Sequence, residues 1–165
     1  MPYGFHFPLA PLHEALNSLL DTWESRPPLL LVVDDEWLIV ESLSMILTQA
    51  GFAVMKAYDG ASAIEMARLI PPDLLITDVA MPGMNGIELA VSLVCMVPDS
   101  RVLLFSAHAQ TQDLTEARKA GFDFPLLTKP VHPCTMLENV LRCLAVTDPV
   151  PLQARKGAQQ LQMAN

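Results

Sequence analysis

The segment LLITDVAMPGMNG, residues 74–86, joins an apolar run, an acid and a tight connection to a helix. Residues 74–77 have the length and composition of a buried β-strand. Asp78 follows that run directly, and the proline and glycine residues after it indicate a turn. Helical spacing then covers residues 86–96. The segment therefore predicts one strand–loop–helix unit, with a carboxylate where the strand ends.

Further units of the same kind lie on either side of this one. The predicted strands are at residues 29–33, 53–58, 74–77, 102–105 and 125–128. The predicted helices are at residues 37–50, 60–70, 86–96, 110–120 and 133–146. Alternating strands and helices of this length predict an α/β fold whose parallel sheet carries helices on both faces. The apolar content of 52% agrees, because strands that are buried on both faces are almost entirely apolar.

The two ends of the chain lie outside this pattern and give three parts: an extension at residues 1–28, the α/β domain at 29–146 and a flexible polar tail at 147–165. An apolar stripe with the spacing of one helix face runs along the extension, formed by Leu12, Ala15, Leu16, Leu19, Leu20 and Trp23. Such a stripe must be covered. Two interpretations stay open: the helix folds back on its own domain, or residues 10–24 form a homodimer or partner contact.

The net charge of −8 limits the classes of partner. A protein that binds nucleic acid directly usually presents a basic face, so we expect no direct nucleic-acid binding. The surplus of acids suits a cation site or a basic partner surface. No apolar run reaches the roughly 18 residues that a membrane span requires, and the first residues do not have the pattern of a signal peptide. We therefore expect a cytoplasmic protein.

Polar residues occupy the ends of four predicted strands, at Asp34 and Asp35, Asp78, Ser106 and Lys129. The ends of parallel strands lie along one edge of the sheet, where open α/β sheets bind ligands. Each residue alone has an ordinary explanation, such as a helix cap for an aspartate or a surface charge for the lysine. Their joint occurrence favours a single site.

The residue types indicate what such a site does. Three carboxylates in one crevice repel each other, and a hard divalent cation such as Mg²⁺ removes the conflict. Lys129 adds a fixed positive charge, and the hydroxyl of Ser106 can donate a hydrogen bond to an anionic oxygen. A cation, a lysine and a hydroxyl around one carboxylate are what phosphoryl transfer to that carboxylate requires.

Over residues 29–146 the chain resembles the response-regulator receiver domains, of the chemotaxis-receiver type. The motifs that carry the resemblance are LVVDDE at residues 31–36, DVAMPGMNG at 78–86, Ser106-Ala107 and Lys129-Pro130. The resemblance implies a flavodoxin-like fold, in which a doubly wound five-stranded parallel sheet has the order 2-1-3-4-5 and five flanking helices. The N-terminal amphipathic helix would be an addition to that fold.

The resemblance also implies roles for the acids at the site. Asp78 would accept the phosphoryl group. Asp34 and Asp35 would be the acidic pair that holds Mg²⁺, with Asp35 as the direct ligand of the two. Asp78 and the main-chain carbonyl of Ala80 would be further ligands.

The remaining site residues receive roles from the same resemblance. Ser106 would bind a phosphoryl oxygen, Lys129 would pair with it, and the peptide bond before Pro130 would be cis. His108, two residues past Ser106, is a candidate modulator of dephosphorylation together with Ala80; the alternative is a solvated loop histidine.

One departure from the family pattern concerns the residue three positions before Lys129. Receivers usually have a tyrosine or phenylalanine there, whereas this chain has Leu126. Phe124 either takes over the aromatic role from a displaced position or is simply a core residue. The departure concerns the standard conformational switch and not phosphorylation itself.

We therefore predict a single-domain response regulator that is not an enzyme beyond the self-catalysed phosphorylation and dephosphorylation of Asp78. A sensor histidine kinase or a histidine phosphotransfer protein would donate the phosphoryl group, and a downstream target protein would receive the signal. We expect no output module in residues 147–165. One alternative is a pseudo-receiver, an interaction domain that phosphorylation does not switch. Another, a metal-dependent phosphatase, requires an acid two residues after the nucleophile, where this chain has Ala80.

Overall fold

A computed structural model of the chain describes residues 10–23, 26–108 and 111–145. Outside these ranges lie the predicted tail at 147–165 and residues 1–9, 24 and 25 of the predicted extension; the side chain of Leu20 is not described either. The elements follow in chain order as α1 (Ala10–Thr22), β1 (Leu29–Val33), α2 (Trp37–Gln49), β2 (Ala53–Ala57), α3 (Gly60–Leu69), β3 (Leu74–Asp78), α4 (Gly86–Met96), β4 (Arg101–Ser106), α5 (Gln112–Lys119), β5 (Leu126–Thr128) and α6 (Pro133–Ala145). Among these helices, none combines the length and the apolar character that crossing a membrane requires.

The five strands form one parallel sheet in the order β2-β1-β3-β4-β5. This result confirms the predicted fold class and strand order. β3 lies at the centre, between β1 and β4. In the register of the sheet, Asp78 is opposite Phe105, and Ser106 is opposite Thr128. The carboxyl ends of the strands therefore meet at one edge of the sheet.

The strand bounds differ slightly from the sequence prediction. β3 includes Asp78 and β4 extends to Ser106, whereas the sequence prediction places both residues just after the apolar runs. The backbone pairing decides where a strand ends, and that pairing continues through both residues. β5 begins at Leu126 and not at Pro125, and β2 ends at Ala57.

Side-chain caps fix the starts of three helices. Each cap is an oxygen that accepts a hydrogen bond from a backbone N–H in the first turn: Asp59 from Ser62 at α3, Asn85 from Ile87 and Glu88 at α4, and Thr111 from Leu114 at α5. The cap explains why α5 begins at Gln112 and not at the predicted residue 110.

The sheet separates two clusters of buried apolar residues. Alternating residues of β1 point to opposite faces, because side chains of a strand alternate. Leu31 and Val33 belong to the cluster under α3, α4 and α5, and Leu30 and Val32 to the cluster under α2 and α6. Helices thus cover both faces of the sheet, as the sequence predicts.

α1 packs on the same domain, against α6. Among its described side chains, Leu12, Leu16 and Leu19 are buried or partly buried, and so is Trp23 just after the helix. Of the two interpretations of the stripe, the structure shows the helix folded back, and a homodimer through residues 10–24 is not required to cover it. Ala15 is exposed, contrary to its place in the predicted stripe. It lies about 60° around the helix axis from Leu12, at the margin of the buried face.

Candidate functional site

The carboxyl edge of the sheet brings together residues from four strands. Asp34 follows β1, Asp78 and Ser106 are the last residues of β3 and β4, and Lys129 follows β5. Asp34, Asp78 and Ser106 are buried, at 1%, 7% and 1% exposure. Lys129 is fastened to this edge by its backbone, because its N–H donates to the carbonyl of Ser106 at 2.7 Å. The parallel topology alone therefore gathers these side chains.

The ammonium of Lys129 lies between two buried carboxylates. Its Nζ is 2.8 Å from Oδ2 of Asp34 and 3.1 Å from Oδ1 of Asp78. The same Nζ lies 4.9 Å from the centre of the Phe105 ring, so that the cation also faces an aromatic surface. The sequence pattern places Phe105 only in a strand, and its position next to Ser106 is the signal that could have identified it.

Three carboxylates lie close together at this edge of the sheet. One oxygen each of Asp34, Asp35 and Asp78 lies within 4.8 Å of the others, and Asp35 is the exposed member. Asp34 is already engaged on both oxygens, because Oδ1 accepts from the N–H of Glu36 at 2.8 Å and Oδ2 accepts from Lys129. With three negative charges and one ammonium, the cluster keeps two uncompensated negative charges. An oxygen-only donor set with surplus negative charge suits a hard divalent cation such as Mg²⁺.

The electrostatics of Asp78 differ from those of an exposed carboxyl. Burial raises the pKa of the Asp78 carboxyl above its usual range, although the neighbouring Lys129 acts against that change, and the carboxylate of Asp34 adds to it. Burial lowers the pKa of Lys129, but the hydrogen bonds that it donates to Asp34 and Asp78 outweigh burial, and the pKa lies above its ordinary value. The lysine is therefore charged, and the charge on Asp78 is only partly compensated.

The backbone around Ser106 and Asp78 is also held. Oγ of Ser106 accepts a hydrogen bond from the N–H of His108 at 3.1 Å, and the hydroxyl of Thr77 donates to the carbonyl of Asp78 at 3.0 Å. The sequence pattern places Thr77 only in an apolar run, and a threonine at the last position of such a run is the signal that could have identified it.

The other predicted site residues lie around this core. Ala80 is exposed in the loop after β3, and His108 is exposed after β4. The Lys129-Pro130 peptide bond is cis. The roles that the family resemblance implies for Ala80, His108 and Pro130 stay predictions.

Phe124 lies in the apolar core on one face of the sheet. Its side chain is buried at 5% exposure and stacks on Phe122, with ring centroids 5.8 Å apart. Leu126 is partly buried against the same cluster and borders a surface groove beside the ion pair of Arg118 and Asp123. This packing supports a core role for Phe124 and leaves Leu126 at the position where receivers usually have an aromatic residue.

Comparison with known proteins agrees with this geometry. A family model described as response regulator receiver domain matches residues 30–141. The probable transcriptional regulatory protein TcrX of Mycobacterium tuberculosis is 37% identical over 123 residues, 74% of this chain and 51% of that protein. The chemotaxis protein CheY of Thermotoga maritima is 34% identical over 110 residues, 66% of this chain and 90% of that protein. The chain thus spans about half the length of TcrX and most of this CheY.

Solved structures give the same result for the fold. The chemotaxis protein CheY4 of Vibrio cholerae superposes with a TM-score of 0.66 at 29% identity, over 72% of this chain and 99% of that chain. A CheY-like receiver domain protein from Methanospirillum hungatei superposes with a TM-score of 0.67 at 25% identity, over 72% of this chain and 94% of that chain.

Proposed function

The chain belongs to the response regulator receiver domain family, and on that premise we propose that Asp78 accepts a phosphoryl group in a Mg²⁺-dependent phosphorelay. Members of this family are signalling proteins of two-component systems and not classical enzymes. One observation carries the proposal: Lys129 is shared between the buried carboxylates of Asp34 and Asp78, with Asp35 close by. Uncompensated charge at a buried site is costly, which favours a site that a bound cation completes.

In this proposal an oxygen of Asp78 attacks the phosphorus of a phosphohistidine. The new phosphorus–oxygen bond forms as the phosphorus–nitrogen bond breaks, and the imidazole leaves with the electron pair and takes up a proton. Asp34, Asp35, Asp78 and the carbonyl of Ala80 would hold Mg²⁺, which when bound neutralises charge on phosphoryl oxygens. Ser106 donates a hydrogen bond to a phosphoryl oxygen, and the ammonium of Lys129 pairs with another.

The partners follow from the same chemistry. A sensor histidine kinase or a histidine phosphotransfer protein donates the group, and the phosphorylated form signals to a downstream target protein by protein–protein contact in the cytoplasm. Exposed apolar side chains border the site directly after Asp35 and Glu36: Trp37 is 59% exposed and Leu38 is 69% exposed. Apolar side chains in such a position are typical of a contact surface and support docking of the donor there.

Phosphate uptake tests the proposal. The protein is incubated with acetyl phosphate and Mg²⁺, and intact mass is measured by mass spectrometry. We expect a gain of one phosphoryl group that Asp78→Asn abolishes and that chelation of Mg²⁺ prevents. Asp73→Asn is the matched control, because Asp73 directly precedes the other end of the same strand, and it should not change uptake.

Two outcomes would contradict the proposal. One is a wild-type protein that gains no mass with acetyl phosphate and Mg²⁺, which would favour the pseudo-receiver. The other is an Asp78→Asn variant that is modified as fast as the wild type.

A further inference from the structure

The start of α4 is held rigidly against the strand that carries Asp78. Asn85 accepts hydrogen bonds from the N–H groups of Ile87 at 3.0 Å and Glu88 at 2.9 Å, and the carboxylate of Glu88 accepts from the N–H of Asn85 at 3.0 Å. This reciprocal pair is a capping box, which fixes the first turn of a helix. The first residue of that turn, Gly86, is therefore held in place.

Gly86 lies directly against the backbone of Asp78. Its N–H donates to the carbonyl of Val79 at 2.9 Å, and the residue is buried. A Cβ atom at Gly86 would overlap the carbonyl oxygen of Asp78; it would lie 2.7 Å from the carbonyl carbon of Asp78 and 3.0 Å from Cα of Val79. Gly86 is not among the described glycines with positive φ, so space and not backbone conformation requires glycine here.

The peptide of Asp78 is thus held from more than one side. Gly86 lies against its carbonyl, the hydroxyl of Thr77 donates to the same oxygen at 3.0 Å, and β4 pairs with Asp78 along the strand. The direction of a side chain depends on the orientation of its own backbone. The contact at Gly86 therefore bears on where the Asp78 carboxylate lies relative to Lys129.

We propose that Gly86 is a positioning residue for the phosphoacceptor. Because Gly86 has no side chain, α4 packs directly against the peptide of Asp78 and fixes its orientation. The orientation of this peptide in turn determines where the Asp78 carboxylate and the loop up to Ala80 lie. This inference rests on the proposed function of Asp78. An added methyl group would force the Asp78 peptide or α4 to move by about 1 Å, because carbon atoms in contact lie about 3.5–4.0 Å apart. A displacement of about 1 Å can reduce the rate of a positioned reaction on the order of 100-fold.

The experiment compares Gly86→Ala with Gly60→Ala. Gly60 is a close match, because it is also buried and also the first residue of a helix that follows an aspartate or asparagine cap. The three atoms nearest to a Cβ at Gly60 are Cβ, Cγ and Sδ of Met84, at 2.8–2.9 Å, and none of them belongs to Asp78. Gly60→Ala therefore disturbs the same connection between β3 and α4 at a different point. The readouts are the Kd for Mg²⁺ by calorimetry, the rate of phosphorylation by acetyl phosphate at saturating Mg²⁺, and the thermal unfolding midpoint.

We expect Gly86→Ala to raise the Kd for Mg²⁺ about tenfold or more, as loss of support for metal ligands does. We expect the phosphorylation rate at saturating Mg²⁺ to fall on the order of 100-fold. Gly60→Ala controls for a general disturbance of the loop and should change both quantities clearly less than Gly86→Ala, because its methyl group meets Met84 and not the peptide of Asp78. Equal changes in the two variants would contradict a specific role for Gly86. A folded Gly86→Ala protein with the wild-type Kd and rate would overturn the proposal.

A second variant covers the case in which Gly86→Ala does not fold. Thr77→Val removes the hydroxyl that holds the same carbonyl and keeps the shape of the side chain, so we expect a smaller change of both quantities in the same direction. No change in either would also overturn the proposal. Failure of the proposed function is distinguishable, because it would appear as wild-type protein that gains no phosphate, whereas the Kd for Mg²⁺ tests Gly86 independently.

Discussion

The two ends of β3 each present an aspartate to a cation, and the two arrangements differ. At the amino end, the carboxylate of Asp73 accepts two hydrogen bonds from Arg26, at 2.6 and 3.0 Å, and one from the N–H of Leu29 at 2.6 Å. At the carboxyl end, Asp78 shares the single ammonium of Lys129 with Asp34.

The difference shows which aspartate is structural. The Asp73 carboxylate has its own cation and a backbone donor, so it needs nothing further, and Arg26 is half exposed to water. Among the described residues, the buried carboxylates of Asp34 and Asp78 share one ammonium at the carboxyl end, and the exposed Asp35 lies beside them. Buried charge without a partner is costly, so a natural sequence keeps such an arrangement where a ligand completes it.

The largest expected effect follows from removing the shared cation. Lys129→Met should reduce the rate of phosphorylation by acetyl phosphate by a factor on the order of 10² to 10³, as loss of one donor to developing charge does. The Kd for Mg²⁺ should not rise, because the carboxylates then lose a competing cation. Both quantities are measured by intact mass and calorimetry.

The corresponding change at the amino end, Arg26→Met, is the control and should alter neither quantity. If the Kd for Mg²⁺ rose in step with the loss of rate in Lys129→Met, Lys129 would be organising the metal site, and the division of roles between the cations would be wrong.

Metal-linked stability gives the next largest effect. At a Mg²⁺ concentration of about 100 times Kd, binding should stabilise the wild type by about 2.7 kcal/mol. Asp35→Asn removes one charged ligand and should raise the Kd at least about tenfold, so that the same Mg²⁺ concentration gives at most about 1.4 kcal/mol. Denaturant unfolding with and without Mg²⁺ measures both increments.

The amino end again provides the control for this measurement. Asp73→Asn should be stabilised by Mg²⁺ as much as the wild type is, even if the substitution lowers the free energy of unfolding without Mg²⁺. Equal increments in wild type and Asp35→Asn would show that the exposed carboxylate does not take part in metal binding.

The carboxyl end was also the easier of the two to predict from sequence. Asp34, Asp78, Ser106 and Lys129 each end an apolar run, and parallel topology alone brings such ends together. The same reasoning does not reach Asp73. It follows two prolines, where an acid is an ordinary turn residue, and its partner Arg26 lies 47 positions away in the chain.

Contacts that depend on the three-dimensional path of the backbone could not be predicted either. The stripe on α1 shows that a helix face needs a cover, but only the packed structure identifies α6 as that cover. The contact of Gly86 could not be predicted for the same reason. The sequence indicates a turn at Asn85 and Gly86, but it does not show that the glycine lies against the carbonyl of Asp78.

The smallest expected effects concern stability at the amino end. Asp73→Ala should lower the free energy of unfolding by about 1–3 kcal/mol, because it leaves the partly buried N–H of Leu29 without its acceptor. Arg26→Met should cost less than about 1 kcal/mol, because Arg26 is 52% exposed and its ion pair is screened by water. Urea unfolding of both variants measures the two values.

Comparison of the two single variants separates the two functions of Asp73. If the ion pair were the main contribution, Arg26→Met would cost as much as Asp73→Ala. If the hydrogen bond from Leu29 is the main contribution, Asp73→Ala costs more than Arg26→Met. We expect the second result, because that hydrogen bond fixes where β1 begins and is the less exposed of the two interactions. The Asp73 carboxylate would then act mainly on the backbone, in contrast to the reactive role that we propose for Asp78.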